Sequence, residues 1–173
     1  MAKHTAETLH SAVPDRLEAI ACAVLQAAHD RKFTIATAES CTGGLLAALL
    51  TDVRGLGHVF DRGFVTYSDA AKCDLLGIDR SLVKGCGAVS EPVARAMAAG
   101  ALARSKADLA VSITGFAGPG DDDDEEGLVH FACATRDGPC DHRKEHFGTI
   151  GRAGVRIAAL EVALAMMDNA LHA

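Results

Sequence analysis

A serine between a short apolar run and two glycines is the first group in this chain that could do chemistry. The stretch TAESCTGGLLAALL, residues 37–50, places Ser40 and Thr42 just before Gly43 and Gly44. A strand is expected to end before Ser40 and a helix to begin near Gly43, so the turn would lie at the carboxyl edge of a sheet, where α/β proteins bind ligands. The N–H groups of Thr42, Gly43 and Gly44 favour negative charge. They therefore predict a site for a phosphate or for the oxyanion of a tetrahedral intermediate.

Other interpretations of the same residues stay open. Ser40 or Thr42 could simply cap the helix, because serine and threonine are preferred at that position. The GxSxG pattern of α/β-hydrolases is absent, since positions 38 and 42 are Ala and Thr, and no lysine follows Gly44 as a Walker motif requires. Cys41 is a rival nucleophile, because a helix N-terminus lowers the pKa of a thiol.

A serine nucleophile needs a base, and the next strand–helix unit could supply one. In TYSDAAKCDLLG, Tyr67 ends a predicted strand and Lys72 falls in the first turns of the following helix. Lys72 can act as a base only when it is neutral, which requires burial or a nearby cation to lower its pKa. A solvated lysine on a short helix is the alternative. None of the eight histidines lies in a sequence motif that indicates a catalytic role, so a core or surface role is expected for each.

A second glycine-rich turn follows another predicted buried strand. In TGFAGPGD, the backbone at Thr114, Gly115, Gly118 and Gly120 could form a wall of the same pocket or an anion-binding nest, and an ordinary loop is the alternative. The acidic run 121–126 lacks the ligand register of a calcium-binding loop. We therefore predict a solvated loop there, and neither a metal site nor a cofactor.

Helices and strands alternate along the chain and predict the layers that would position these groups. The expected helices span about 14–28, 43–51, 68–78, 90–106 and 152–171. The expected strands span about 32–38, 62–67, 107–115, 128–135 and 142–148. We predict one domain over residues 1–173, frayed over 1–13, with the α/β fold class: a three-layer α/β/α sandwich around a mixed, mostly parallel sheet.

Charge and cysteine content narrow the class of protein. The 173 residues include 17 basic and 23 acidic ones, and this formal charge of −6 argues against a nucleic-acid binder, which normally has a basic face. The six cysteines show no CxxC pair and no metal-type spacing. This pattern is typical of reduced cysteines in a cytoplasmic protein. No signal-peptide pattern and no run of 18 apolar residues is visible, so no membrane contact is expected. The apolar face of the last helix fits either the core or a homo-oligomer interface, which leaves the oligomeric state open.

Five ordered segments of the chain resemble the CinA carboxy-terminal domain family. They are TAESCTGG, GFVTYSDAAKCDLLGI, GAVSEPVARAMAAGA, ADLAVSITGFAGPG and GLVHFA, and the resemblance covers roughly residues 14–170. It implies a three-layer α/β/α fold with a mixed sheet. For members that act as nicotinamide-nucleotide amidohydrolases, it implies removal of ammonia from nicotinamide mononucleotide to give nicotinate mononucleotide.

The resemblance also implies roles for single residues. Ser40 would be the nucleophile, Lys72 its base, and Tyr67 a partner that relays a proton or orients the lysine. A basic residue near the start of the last helix would hold the substrate. Arg152 of TIGRAGVR matches that residue, and Arg156 lies one helical turn further on.

Three departures from the family pattern keep more than one function open. Ile150 stands in place of an aspartate, Gly57 of RGLGH in place of a site serine, and the acidic run 121–126 in place of a lysine-containing segment. One hypothesis is a Ser/Lys amidohydrolase acting on a small-molecule nucleotide, or on a different carboxamide. The other is a weakly active or inactive nucleotide-binding module with a regulatory role in competence or the DNA-damage response.

Overall fold

Six α-helices and five strands are present in residues 12–118 and 124–173, the part of the chain that a computed structural model describes. The helices are α1 (Asp15–Arg31), α2 (Leu45–Asp52), α3 (Asp69–Leu76), α4 (Arg80–Cys86), α5 (Glu91–Ala103) and α6 (Gly151–His172). The strands are β1 (Ile35–Glu39), β2 (Phe60–Val65), β3 (Leu109–Gly115), β4 (Leu128–Thr135) and β5 (Cys140–His146).

The strands form one mixed sheet in the order β2-β1-β3-β4-β5. β1 pairs in parallel with β2 and β3, whereas β4 runs antiparallel to both β3 and β5. Four strands therefore point the same way and β4 points back, which confirms the predicted mixed sheet, although only two of its four ladders are parallel. β1 lies between two strands and all five of its residues are buried, so its carboxyl end is held rigidly where the first polar turn begins.

Helices cover both faces of the sheet and complete the three predicted layers. One core cluster joins α1, α2 and α6 to one face, with Leu17 and Leu160 fully buried. A second cluster joins α3, α4 and α5 to the other face, through Leu76 and Met97 among others. Burial of each such side chain contributes about 2 kcal/mol of transfer free energy. Both helical layers are therefore fixed against the strand ends that carry the polar turns.

The predicted elements are confirmed within a few residues, with two differences that have physical causes. The pattern does not predict α4, because a seven-residue helix offers too few apolar positions to show a period. The local signal is its cap, Asp79, whose Oδ1 accepts from the Ser81 N–H at 2.8 Å. Val13 is buried against the core, so residue 13 is not frayed as predicted, and residues 1–11 lie outside the described part of the chain.

The last helix belongs to the core of its own chain. Met166 and Met167 of α6 are buried in the cluster formed with α1 and α2, so they do not require a partner subunit to cover them. Among the described residues, no helix combines the length and the apolar character that crossing a membrane requires.

Candidate active site

Ser40 lies at the carboxyl end of β1, in a tight turn that leads into α2. Its N–H donates to the Ile113 carbonyl at 2.9 Å, so the pairing with β3 continues for one residue beyond the strand. The Gly43 N–H then donates to the Ser40 carbonyl at 3.0 Å and closes the turn. Gly43 and Gly44 have φ angles of 63° and 92°, in the left-handed region where a side chain causes strain. The backbone path of the turn therefore requires both glycines.

A buried carboxylate, Glu39, caps α2 from inside this turn. It accepts a hydrogen bond from Thr42 Oγ1 at 2.7 Å and three more, at 2.8–3.1 Å, from backbone N–H groups at the start of the helix. Glu39 is only 1% exposed, and these four donors together with the positive end of the helix compensate its charge. The cap is thus the residue before Ser40, and the Ser40 hydroxyl is not used for capping.

The cap changes which backbone donors the turn leaves for a ligand. The Gly43 and Gly44 N–H groups are bound within the turn, so neither is the free oxyanion donor that the two glycines predict. The Cys41 and Thr42 N–H groups make no hydrogen bond to another residue in the described part of the chain. Of the three predicted donors only the Thr42 N–H remains, and the Cys41 N–H joins it. Of these two residues Cys41 lines the cavity beside Ser40 and Thr42 does not, so the Cys41 N–H is the better candidate donor for a developing oxyanion.

Lys72 reaches Ser40 from α3, on the neighbouring strand–helix unit. Ser68 caps α3, its Oγ accepting from the Ala71 N–H at 3.1 Å, and this start places Lys72 in the first turn of the helix. Lys72 Nζ lies 3.1 Å from Ser40 Oγ and 3.1 Å from the Thr66 carbonyl oxygen, and the residue is only 1% exposed. The solvated-lysine alternative is therefore wrong, and the fold brings a hydroxyl and a buried amine into direct contact.

Burial also sets the protonation state of this amine. Loss of hydration lowers the pKa of Lys72, against smaller opposing effects of the Asp69 carboxylate and two nearby thiols. The two hydrogen-bond partners of Nζ among the described residues are a hydroxyl and a carbonyl, neither of which carries a charge. A neutral amine has two N–H donors and one lone pair. With an N–H directed to the Thr66 carbonyl, the lone pair can accept the Ser40 proton, as a general base must.

A cavity of about 270 Å³ opens beside Ser40 and Lys72, near the lower end of the usual range for ligand pockets. All three predicted catalytic residues and four of the predicted binding residues line it. The polar side chains on its wall are Ser40, Tyr67, Asp69, Lys72, Thr114, Asp124 and Arg152.

Tyr67 lies at the rim of this cavity. Its side chain is 65% exposed and has no hydrogen bond to Lys72 or Ser40. The group that orients the amine is the Thr66 carbonyl, one residue earlier in the chain. The resemblance implies a proton relay or an orienting role for Tyr67, whereas its position here suits contact with a ligand that enters the cavity.

The turn after β3 forms another wall of the cavity. Thr114 is buried, and its Oγ1 donates to the Ala88 carbonyl at 2.8 Å, so the hydroxyl ties the turn to the segment before α5. A Cβ on Gly115 would lie 2.6 Å from the Leu128 carbonyl oxygen, so close packing against β4 requires this glycine. Both residues therefore shape the wall, and neither has a side-chain donor free for a ligand.

The first turns of α6 bring two arginines to the site in different positions. Arg152 lines the cavity, and a Cβ on Gly118 would lie 3.1 Å from its Nη2, so the glycine leaves room for the guanidinium. Arg156 donates from Nε to the Cys41 carbonyl at 2.8 Å and holds the Ser40 turn from the α6 side. Arg152 is therefore the arginine that a ligand can reach. Gly120, the last of the predicted binding residues, lies outside the described part of the chain.

Cys41 shares the turn but is poorly suited to act as a nucleophile at neutral pH. Burial raises the pKa of its thiol to about 11, and the opposing effect of Arg156 is smaller. The sequence predicts that the N-terminus of α2 lowers the pKa of this thiol, and that prediction is wrong. Burial has the larger effect, and the Glu39 carboxylate already binds the N–H groups at the start of the helix.

The departures from the family pattern at Gly57 and Ile150 lie away from the cavity wall. Gly57 begins a single 3₁₀ turn, Gly57–Val59, and a Cβ added to it would meet no atom within 4 Å. Ile150 precedes α6 and is 54% exposed. Neither residue lines the cavity, so neither replacement removes a contact of Ser40 or Lys72 within this chain.

Histidines and metal-type clusters do not contribute to this wall. His29 and His58 pair at 2.9 Å, and His130 and His142 pair at 3.0 Å, in both cases outside the cavity. Within residues 12–118 and 124–173, no group of three or more His, Cys, Asp or Glu side chains is arranged to hold a metal ion.

Three contributors to the site have little or no signal in the sequence. Glu39 is the last residue of β1 and lies six positions before the first residue of α2, so its position in the sequence does not indicate that it caps the helix. The role of the Thr66 carbonyl cannot be predicted from residue type, because every residue has a backbone carbonyl. The contact of Arg156 depends on how α6 packs across the turn, which spacing alone does not give.

Comparison with known proteins identifies relatives over nearly the whole described chain. Residues 17–171 match the family model described as the CinA C-terminal domain. The crystal structure of competence/damage inducible protein CihA from Agrobacterium tumefaciens superposes with a TM-score of 0.89 at 42% identity, covering 93% of this chain and 98% of that chain. A competence-damaged protein (CinA) superfamily protein from Escherichia coli superposes with a TM-score of 0.83 at 34% identity, covering 91% of this chain and 90% of that one.

Curated relatives fall into a long and a short group. A CinA-like protein of Mycolicibacterium gilvum is 51% identical over 140 residues, which are 80% of this chain and 33% of that protein. A CinA-like protein of Akkermansia muciniphila is 55% identical over 105 residues, 60% of this chain and 25% of that protein. This chain therefore spans about a quarter to a third of these longer relatives. The nicotinamide-nucleotide amidohydrolase PncC of Escherichia coli is 47% identical over 141 residues, 80% of this chain and 85% of that protein.

Proposed function

This chain belongs to the CinA C-terminal domain family, and we propose that it is a nicotinamide-nucleotide amidohydrolase with Ser40 as nucleophile and Lys72 as base. The observation that carries the proposal is the 3.1 Å contact between a buried Lys72 Nζ and Ser40 Oγ beside a cavity. The Escherichia coli relative named for this activity matches over most of its own length, which supports the same reaction. The proposed substrate is nicotinamide mononucleotide, and the proposed location is the cytoplasm.

The first half of the reaction forms an ester on the serine. Neutral Lys72 takes the Ser40 hydroxyl proton while Oγ attacks the carboxamide carbon. The oxygen of the tetrahedral intermediate becomes negative and accepts a hydrogen bond from the Cys41 N–H group. One such donor contributes about 3 kcal/mol of transition-state stabilisation in hydrolases that use an oxyanion hole. Protonated Lys72 then gives its proton to the leaving nitrogen, and ammonia departs.

The second half releases the acid. Water attacks the ester carbon, neutral Lys72 takes a proton from that water, and the returning Ser40 oxygen receives it. The carboxamide thus becomes a carboxylic acid, with one water consumed and one ammonia released. The Thr66 carbonyl accepts a hydrogen bond from Nζ, so the amine stays in place while its protonation state alternates.

Arg152 supplies the positive charge for the far end of the substrate. Its guanidinium lines the cavity beside Gly118, where the absence of a side chain leaves room for the guanidinium itself. Two parallel N–H donors suit a phosphate, which accepts them in a bidentate way. The proposed binding mode therefore puts the carboxamide at Ser40 and the phosphate at Arg152.

The proposal is tested by ammonia release from nicotinamide mononucleotide. Ser40→Ala and Lys72→Ala should each lower kcat by at least about 10³-fold, since nucleophile and base act as one unit. Lys84→Ala, at an exposed lysine on α4 outside the cavity, is the matched control and should keep full activity.

Undiminished turnover in either active-site variant would refute the Ser/Lys assignment. Turnover with other carboxamides but not with the nucleotide would refute the substrate. Calorimetric binding of the nucleotide by a wild-type protein that releases no ammonia would instead favour the regulatory role.

A further inference from the structure

Asp69 lines the catalytic cavity, although the proposed reaction gives its carboxylate no task. It is the first residue of α3, three positions before Lys72, and its side chain is exposed. Its negative charge raises the pKa of Lys72 and so acts against the neutral form that the reaction needs. Taken alone, this carboxylate therefore disfavours the neutral base.

The chemistry of a nicotinamide nucleotide offers a reason for a carboxylate at this place. The ring that bears the carboxamide is a pyridinium, whose nitrogen is bonded to the ribose and carries a positive charge. When the carboxamide carbon reaches Ser40 Oγ, the ring must lie within a few ångströms of Lys72. Asp69 and Tyr67 both line the cavity that the ring would then enter. A carboxylate attracts such a cation, and an aromatic face does so as well.

We infer that Asp69 is a specificity-determining residue that recognises the positive charge of the substrate ring, with Tyr67 adding aromatic surface at the same rim. The inference rests on the proposed function and extends it to a substrate class, carboxamides carried on an N-substituted pyridinium. Carboxamides on uncharged rings of similar shape are bound less well.

This assignment gives Arg152 and Asp69, one of the two carboxylates on the cavity wall, separate parts of the substrate. Arg152 serves the phosphate, and Asp69 serves the ring, so the substrate is held by both of its charged groups. A bound cation also offsets the effect of Asp69 on Lys72, because a positive ring disfavours a second positive charge on the nearby amine. A pyridinium substrate therefore counteracts the influence of Asp69 on the protonation of Lys72.

The test compares two ligands that differ in ring charge. Binding is measured by calorimetry on Ser40→Ala and on Ser40→Ala/Asp69→Asn, with nicotinamide mononucleotide and with its 1,4-dihydro form, whose ring is neutral. Loss of Asp69 should weaken the binding of the pyridinium form about fivefold and change that of the dihydro form by less than about twofold, as expected for a partly exposed ion pair.

Two further variants control for structural effects. Asp69→Glu keeps the charge and should restore most of the preference for the pyridinium form. Asp74→Asn removes a carboxylate from the same helix that pairs with Arg80 at 2.8 Å, outside the cavity, and should leave both affinities unchanged.

The outcomes separate this inference from the function on which it rests. Equal weakening of both ligands by Asp69→Asn, or no weakening of either, overturns the role of Asp69 while the amidohydrolase stands. Failure of both ligands to bind, together with no ammonia release by the wild type, overturns the proposed function and the inference with it.

Discussion

The two sides of the Ser40 turn each bury an ionisable group, but they differ in how well hydrogen bonds and charges compensate it. On the cap side, defined by Glu39 and its donors, a carboxylate that is 1% exposed receives four hydrogen bonds and the positive end of α2. On the cavity side, defined by Ser40, Thr66 and Lys72, an amine that is also 1% exposed has two uncharged partners among the described residues. Equal burial therefore hides a large difference in electrostatic compensation.

The difference separates a buried group that stabilises the fold from one that is able to move a proton. A buried carboxylate that accepts four hydrogen bonds stabilises the fold by holding the start of a helix. An amine without a counter-ion loses its proton more readily, because burial penalises only the charged form. The number and charge of the hydrogen-bond partners, more than burial or residue type, indicate that Lys72 is the group that can move a proton.

The largest expected effect comes from removing the amine without changing its size. Lys72→Met should lower kcat for ammonia release by at least about 10³-fold, since the base is lost. The midpoint of urea denaturation should stay the same or rise, because methionine buries no polar group. An activity loss that is accompanied by a large loss of stability would mean that Lys72 is mainly a structural residue.

The matched change on the cap side should produce the reverse pattern. Glu39→Gln removes the charge and turns an NH₂ group toward a backbone N–H, so the free energy of unfolding should fall by about 2–3 kcal/mol. Glu161→Gln, at an exposed carboxylate of α6 that pairs with Arg16 at 3.3 Å, is the control and should change it by less than about 1 kcal/mol. Denaturant titration of both variants gives the two numbers. Equal stability of Glu39→Gln and wild type would contradict the capping role.

A smaller effect concerns the pH profile. In the proposed mechanism the active form has a neutral Lys72, so kcat/KM should fall as pH drops through the lowered pKa of this amine. Three groups raise the pKa of Lys72. They are the carboxylate of Asp69, which lies on the same helix, and the thiols of Cys41 and Cys73 in their ionised form. Asp69→Asn removes one of these influences and should move the acidic limb to lower pH. A limb that moves to higher pH would show that the sign of the interaction is wrong.

The smallest effect is expected at the rival nucleophile. Cys41→Ala should leave kcat within about threefold of wild type, because a thiol with a pKa raised to about 11 is almost fully protonated at neutral pH. Steady-state ammonia release measures this directly. A loss as large as that of Ser40→Ala would move the nucleophile from the serine to the cysteine.

The sequence predicts the two reactive groups because strand ends in an α/β sheet converge, and Ser40 and Lys72 follow neighbouring parallel strands. It does not predict how backbone donors are shared within the turn. The same N–H groups of Gly43 and Gly44 that suit an oxyanion also suit the Ser40 carbonyl and the Glu39 carboxylate, and only the folded geometry decides between these acceptors.

The two arginines of α6 show the same limit in another way. Arg152 and Arg156 lie one turn apart, so both fall on the same face of the helix and spacing cannot rank them. Because of the way α6 packs over the turn, Arg156 donates a hydrogen bond to the Cys41 carbonyl, whereas Arg152 lines the cavity. Such assignments depend on contacts between elements that are distant in the chain.

The protonation state of Lys72 is the central claim, and lysine NMR measures it most directly. Protein labelled with ¹³C and ¹⁵N on lysine would be titrated, and the Lys72 signal assigned by its absence in Lys72→Met. We expect this signal to titrate at a lower pH than an ordinary lysine amine, with Lys84 as the internal reference. A Lys72 signal that titrates together with Lys84 would show a charged amine at neutral pH and would contradict the proposed base.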